Sequence, residues 1–98
     1  MNIARQGDIT VRKVLSIPEG LQVDKTNILV LGESTGHAHR LEKGKVYRSK
    51  TGEIYLDVKG KTKIVHEEHK PITLEKGKYM VGRQREYLSK DMVKIVTD

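Results

Sequence analysis

All four histidines of the chain lie in two tight pairs, the arrangement expected of a single imidazole-lined site. His37 and His39 are separated by one residue, so on a β-strand both side chains leave the same face. His66 and His69 are separated by two residues, which on a regular strand places them on opposite faces. Both can reach one site only where a bulge or a strand end re-aims one of them. We therefore expect His37, His39 and His66 to be the main site residues, with His69 as the next candidate.

Divalent metal binding is the chemistry that this set of imidazoles predicts first. The chain has no cysteine, which leaves imidazole and carboxylate groups as ligands. The four histidines, with Glu67 or Glu68 as a carboxylate partner, suit zinc, nickel, iron or manganese. The same two glutamates are candidate catalytic bases toward a metal-bound water, although the pattern leaves open whether the protein is an enzyme. The metal-free alternatives are acid–base catalysis, a pH-responsive cluster, and recognition of a phosphate or sugar.

The segment from Gly32 to Glu42, Gly-Glu-Ser-Thr-Gly-His-Ala-His-Arg-Leu-Glu, resembles the first metal motif of the cupins. In that motif a glycine precedes His-x-His and a glutamate follows it. The resemblance implies that His37, His39 and Glu42 are ligands, joined by one histidine of the second pair from a later strand. It also implies a small β-barrel with a metal pocket. The spacings from Gly32 to His37 and from His39 to Glu42 are shorter than in the cupin motif.

Short β-strands are the elements predicted to position these residues. The chain lacks Phe and Trp and is rich in β-branched aliphatic residues, which favour sheet over helix. Turn signals recur about every eight to twelve residues, the rhythm of a small barrel or sandwich. We predict one all-β domain over residues 1–98, a β-barrel or sandwich of about seven to nine short, mainly antiparallel strands. They include a clear strand at 53–58, a long one at 78–87 and a last one at 92–96, with 89–96 as the only helix candidate.

The sequence Leu-Glu-Lys-Gly-Lys occurs twice, at 41–45 and at 74–78. Its glycine and charged residues are typical of a tight turn between strands. We predict that both copies are strand–turn–strand corners, rather than traces of a duplication.

A net charge of +6 suggests nucleic acid or another polyanion as a partner. The basic residues are spread along the chain, which favours a solvated lysine-rich surface. If residues 82–87 are extended, Arg83, Arg85 and Tyr87 share one face, where they would grip phosphate and stack a base. Tyr79 and Val81 lie on that same face, so part of it is expected to be packed. The alternative function is therefore that of a non-enzymatic nucleic-acid-binding β-barrel.

A third hypothesis is a structural or assembly module of the phage type, with the histidines at an interface. Exposed strand edges make a homo-oligomer a reasonable expectation. No apolar run reaches the roughly 20 residues that cross a bilayer, and no signal-peptide pattern begins the chain. We therefore expect a cytoplasmic protein with no membrane partner. The charged fraction of 33% favours a thermophilic source.

Overall fold

A computed structural model describes residues 3–31 and 36–83, which form ten β-strands. The all-β prediction is confirmed, and the strands make two sheets rather than a closed barrel. The number of strands exceeds the predicted seven to nine because the first strand and the three-residue third strand carry no clear sequence pattern. In chain order the strands are β1 (Ile3–Gln6), β2 (Ile9–Val14), β3 (Gln22–Asp24), β4 (Ile28–Leu31), β5 (Ala38–Leu41), β6 (Lys45–Arg48), β7 (Ile54–Val58), β8 (Thr62–Val65), β9 (Ile72–Leu74) and β10 (Gly77–Arg83).

The two sheets are antiparallel and pack around one shared core. One has six strands in the order β1-β2-β10-β7-β6-β3, and the other has four in the order β4-β5-β8-β9. Edge strand β1 of the larger sheet contacts edge strand β9 of the smaller one. Long-range pairings such as Arg83 with Ile9 and Arg40 with Val65 fix the register of the sheets.

Aliphatic side chains from both sheets fill the core, as the composition requires. Residues at alternate positions of the central strands point inward, and Tyr79 and Val81 are buried, which confirms that this face of β10 is packed. Truncating a fully buried leucine such as Leu56 to alanine would cost about 2–5 kcal/mol. The largest fully buried side chains are Ile9, Leu29, Leu56, Ile64, Val11, Val46 and Val58.

Both copies of Leu-Glu-Lys-Gly-Lys are strand–turn–strand corners, as predicted. The first joins β5 to β6 and the second joins β9 to β10. In the first, Gly44 has a φ of +126°, and a Cβ there would lie 3.2 Å from the carbonyl oxygen of Asp57. Only glycine suits that position.

β10 runs to Arg83 within the described part of the chain. The remainder of the predicted strand at 78–87, and the predictions for 89–96 and 92–96, lie outside the described residues. In the parts that are described, no helix is long and apolar enough to span a membrane.

Candidate metal site

The rings of all four histidines form one cluster at the end of the sandwich where β5 begins and β8 ends. The ring centroids of His39 and His66 are 4.3 Å apart, those of His66 and His69 are 4.6 Å apart, and those of His37 and His66 are 5.7 Å apart. His66 is therefore at the centre of the cluster. The fold brings together both pairs, although 26 residues separate His39 from His66.

Strand geometry explains why the two pairs converge. His39 lies in β5 and His37 immediately precedes that strand, so both rings leave the same face, as their spacing predicts. β8 ends at Val65, and residues 66–70 form a bend before β9 begins. His66 and His69 are thus released from strand alternation, and both turn toward β5. A strand end, one of the two solutions predicted for this pair, is the one that the chain uses.

The hairpin between β1 and β2 packs directly against the imidazoles. Its two-residue turn consists of Gly7 and Asp8, and Gly7 has a φ of +59°. A Cβ on Gly7 would lie 2.8 Å from Nε2 of His69 and 3.4 Å from Cε1 of His39. Glycine is needed here for both its backbone conformation and its lack of a side chain. Our prediction of the site missed this turn, although Gly-Asp is a recognisable hairpin signal.

Gln6 fixes the orientation of His39 through a hydrogen bond to its ring. Its side chain is buried, and its Nε2 donates hydrogen bonds to the carbonyl oxygens of Ile64, at 3.0 Å, and Lys70, at 2.7 Å. Oε1 of Gln6 is therefore the atom that faces Nδ1 of His39, at 2.8 Å. Because Oε1 can only accept, His39 carries its proton on Nδ1 and presents the lone pair of Nε2 to the cluster.

Nε2 of His39 lies 3.5 Å from Oδ1 of Asp8. Burial and, after it, the nearby ring of His66 together lower the pKa of His39 to about 4. The imidazole is therefore neutral at pH 7, so a lone pair faces a carboxylate oxygen with no proton between them. A cation placed between the two acceptors would satisfy both.

A second group of potential ligands lies on the outer side of the cluster. The ligand atoms of His37, His66 and Glu67 all lie within 4.8 Å of one another. In a tetrahedral zinc site, with bonds of about 2.1 Å, ligand atoms are about 3.4 Å apart. Small side-chain movements would thus suffice to close these three residues around an ion. His37 and Glu67 are 29% and 38% exposed, which leaves room for water on that ion.

Glu67 is the carboxylate that anchors the 66–70 bend to β5. Its Oε2 accepts a hydrogen bond from Arg40 and its Oε1 accepts one from the backbone N–H of Ala38, both at 2.9 Å. The contact with Arg40 and, after it, the one with Ala38 lower the pKa of Glu67 to about 2, so the group is anionic. Glu68 also reaches the cluster, with Oε2 3.6 Å from Nδ1 of His37.

The family model of a domain of unknown function, DUF8820, matches residues 5–84 of the chain. The chain belongs to the DUF8820 family. The matched region of this DUF8820 protein includes the β1–β2 turn, both histidine pairs and the 66–70 bend. Comparison with curated proteins and with solved structures gives no match.

Two of the other predicted site residues of this DUF8820 domain lie away from the histidines. Glu42 is exposed in the turn that follows β5, and it is not part of the ligand group. Arg83 ends β10 on the row that carries Tyr79 and Val81, so its side chain continues a core-facing row. Gly32, Arg85 and Tyr87 lie outside the described residues.

Proposed function

We propose that the histidine cluster binds a divalent transition metal, with His37, His66 and Glu67 as its first ligands and His39 next to them. The observation that carries the proposal is the mutual proximity, within 4.8 Å, of the ligand atoms of the first three residues. Two imidazoles and a carboxylate are the ligand set of some catalytic zinc sites, so zinc is the metal with which we test the proposal; nickel, iron and manganese are the alternatives.

The protonation states of the histidines support the proposal. A metal ligates only neutral imidazole, and both His39 and His66 have lowered pKa values, for which burial is the main cause. Histidine ligands in metalloproteins are usually oriented by a hydrogen bond to the other ring nitrogen. Gln6 supplies that bond to His39.

Metal binding must change one contact within the cluster. The backbone N–H of Glu68 donates to Nδ1 of His66 at 3.0 Å. If an ion binds Nδ1, it takes the lone pair that accepts this bond. If it binds Nε2, the neutral ring carries its proton on Nδ1 instead. In both cases the Glu68 amide loses its acceptor, which makes it a sensitive reporter of the bound ion.

The proposed activity is binding, and the site has features that would allow chemistry on a coordinated water. Because His37 and Glu67 are partly exposed, a bound ion would keep positions for water, as catalytic zinc sites do. Zinc lowers the pKa of such a water to about 7. Glu67 is already held by two hydrogen bonds, so Glu68 is the better placed of the two carboxylates to accept a proton.

The proposal is tested by calorimetric titration of untagged, metal-free protein with zinc. We expect one zinc per chain, and His66→Ala and His37→Ala should each weaken binding at least about tenfold. Glu67→Gln should also weaken it, whereas the matched control Glu19→Gln, at an exposed position of a loop, should have no effect. Circular dichroism would establish that each variant is folded. If zinc does not saturate wild-type protein, or if Glu19→Gln weakens binding as much as His66→Ala, the proposal is wrong.

A second candidate function, nucleic-acid binding, is supported by a concentration of lysines at the opposite end of the sandwich. Two depressions of about 310 and 290 Å³ lie between the turns there and share Lys59. Asp57 is the carboxylate in their lining, and it lies 3.4 Å from Nζ of Lys59. Six lysines from distant parts of the sequence thus meet at this end of the sandwich. We call this surface the lysine end; its members are Lys13, Lys43, Lys59, Lys61, Lys76 and Lys78.

Binding at the lysine end would be electrostatic and independent of sequence, because the lysines offer charge without stacking surfaces. Fluorescence anisotropy with a single-stranded oligonucleotide over a range of salt concentrations tests this. Lys59→Gln/Lys61→Gln should reduce the slope of log K against log salt by about 1.4. The control Lys50→Gln/Lys70→Gln removes the same charge at exposed positions near the histidine end and should leave the slope unchanged. Equal effects of the two double variants would contradict a localised surface.

A further inference from the structure

A separate cavity of about 490 Å³ lies between β4, β10 and the turn that joins β6 to β7. Its lining shares no residue with the histidine cluster or with the lysine end. Sites for small ligands typically have volumes of about 300–1,000 Å³, so the cavity is large enough for a small organic molecule.

Arg83 brings a positive charge to this cavity from the end of the core-facing row of β10. Its pairing with Ile9 places it at the margin of the core, and its Nε is buried without a hydrogen-bond partner among the described residues. A buried N–H of a charged group is costly when it has no acceptor, so such groups are normally satisfied by the protein, by water or by a ligand.

Arg48 supplies a second guanidinium to the same lining, and its position is fixed by the protein. Its Nε donates to the carboxylate of Asp24, and its Nη2 donates to the carbonyl oxygens of Ile28 and Leu29. Asp24 itself is not part of the lining, and no described lining residue carries a carboxylate. The cavity therefore favours an anion.

The rest of the lining is mixed in a way that suits an organic anion. Thr26 and Thr51 are uncharged polar residues of the lining, while Ile54 and the residues of β4 are apolar. Leu31, at the end of β4, is 58% exposed beside the cavity. A ligand that combined an oxyanion with an apolar group would satisfy both parts of the lining.

We propose that this cavity binds a small organic oxyanion, a phosphomonoester or a carboxylate, whose charged group accepts hydrogen bonds from Arg83. A planar guanidinium pairs with two oxygens of such a group. The apolar part of the ligand lies against β4 and Ile54. This inference does not depend on the proposed metal site.

Calorimetric titrations with phenyl phosphate and with benzoate test the proposal, with benzyl alcohol as the neutral analogue. At least one of the two anions should bind one per chain, with a Kd of about 1 mM or tighter, and benzyl alcohol should not saturate. The tighter of the two anions identifies the class. Arg83→Gln should weaken binding at least about tenfold.

The matched control is Arg12→Gln, which removes the same charge from an exposed position of β2. It should change the affinity less than about twofold, because exposed charges contribute little to a localised site. If Arg83→Gln does not fold, the Nε–H signal of Arg83 in wild-type protein serves instead, and it should shift with the bound anion. Absence of saturable binding by both anions, equal losses in the two arginine variants, or an unchanged Nε–H signal at saturation would overturn the proposal.

Discussion

Replacing Gln6 with leucine tests how firmly the fold orients His39. The variant removes the acceptor for Nδ1–H of His39 and the donor to the carbonyl oxygens of Ile64 and Lys70. The first two contacts are buried, and each unsatisfied group costs about 1–3 kcal/mol, whereas water can reach the partly buried Lys70 carbonyl. The buried leucine returns about 1 kcal/mol of apolar stabilisation. The free energy of unfolding should therefore fall by about 1–5 kcal/mol.

Urea denaturation measures this loss as a lower midpoint with an unchanged m-value. Gln22→Leu, at an exposed position of β3, is the matched control and should be close to neutral. Long-range ¹H–¹⁵N spectra read the tautomer directly. Wild-type His39 should carry its proton on Nδ1, and the Gln6→Leu variant should shift toward the Nε2–H form, in which Nε2 donates to Asp8. An Nε2–H tautomer in the wild-type protein, or a loss below about 0.5 kcal/mol in the variant, would refute the orientation by Gln6.

Two further predictions concern the hairpin turn and a charged pair away from the site. Gly7→Ala should destabilise the protein by about 1–3 kcal/mol and weaken zinc binding, because the new Cβ meets His69 and the φ is positive; equal zinc affinity and stability in variant and wild type would contradict the packing. Hydrogen bonds from Thr26 and Arg48 hold the pKa of Asp24 at about 2, below its usual 3.8. Its stabilisation should therefore be complete above about pH 4 and lost as the pH falls toward 2. Asp24→Asn should lower the free energy of unfolding by about 1–2 kcal/mol at pH 7. Measured by urea denaturation, the difference in this free energy between variant and wild type should become smaller below about pH 4, and a difference that is constant with pH would contradict this.

The fold class could be predicted because it follows from local sequence patterns. Alternating aliphatic residues marked β7, and the repeated Leu-Glu-Lys-Gly-Lys marked two corners. β1 was missed because Ile3–Gln6 has no hydrophobic alternation and is exposed along much of its length. Its stability as a strand comes from pairing with β2, which is a tertiary effect.

The histidines of the candidate site could be predicted from their spacing, whereas the residues that support them could not. His37 and His39 share a strand face for a local reason, and the bend after β8 was one of two stated solutions for His66 and His69. Gln6 reaches the cluster through contacts that span 33 to 64 residues of sequence. No periodicity reports a contact of that range, because it depends on how the two sheets stack.

The meeting of the six lysines of the lysine end likewise could not be predicted from the sequence. Turns that are far apart in the chain meet in space because antiparallel strands alternate in direction. The two Leu-Glu-Lys-Gly-Lys corners contribute Lys43, Lys76 and Lys78 to that end, and the β7–β8 turn contributes Lys59 and Lys61. Six lysines from distant parts of the sequence are thereby neighbours at one end of the sandwich.

An NMR titration with zinc tests, one residue at a time, whether the histidine cluster binds a metal ion. We expect the ring signals of His37 and His66 to change and to saturate at one zinc per chain. The backbone amide of Glu68 should change with them, because it loses its acceptor on His66. Ring signals that stay unchanged in excess zinc, or gradual changes at exposed carboxylates without saturation, would contradict metal binding by the histidine cluster.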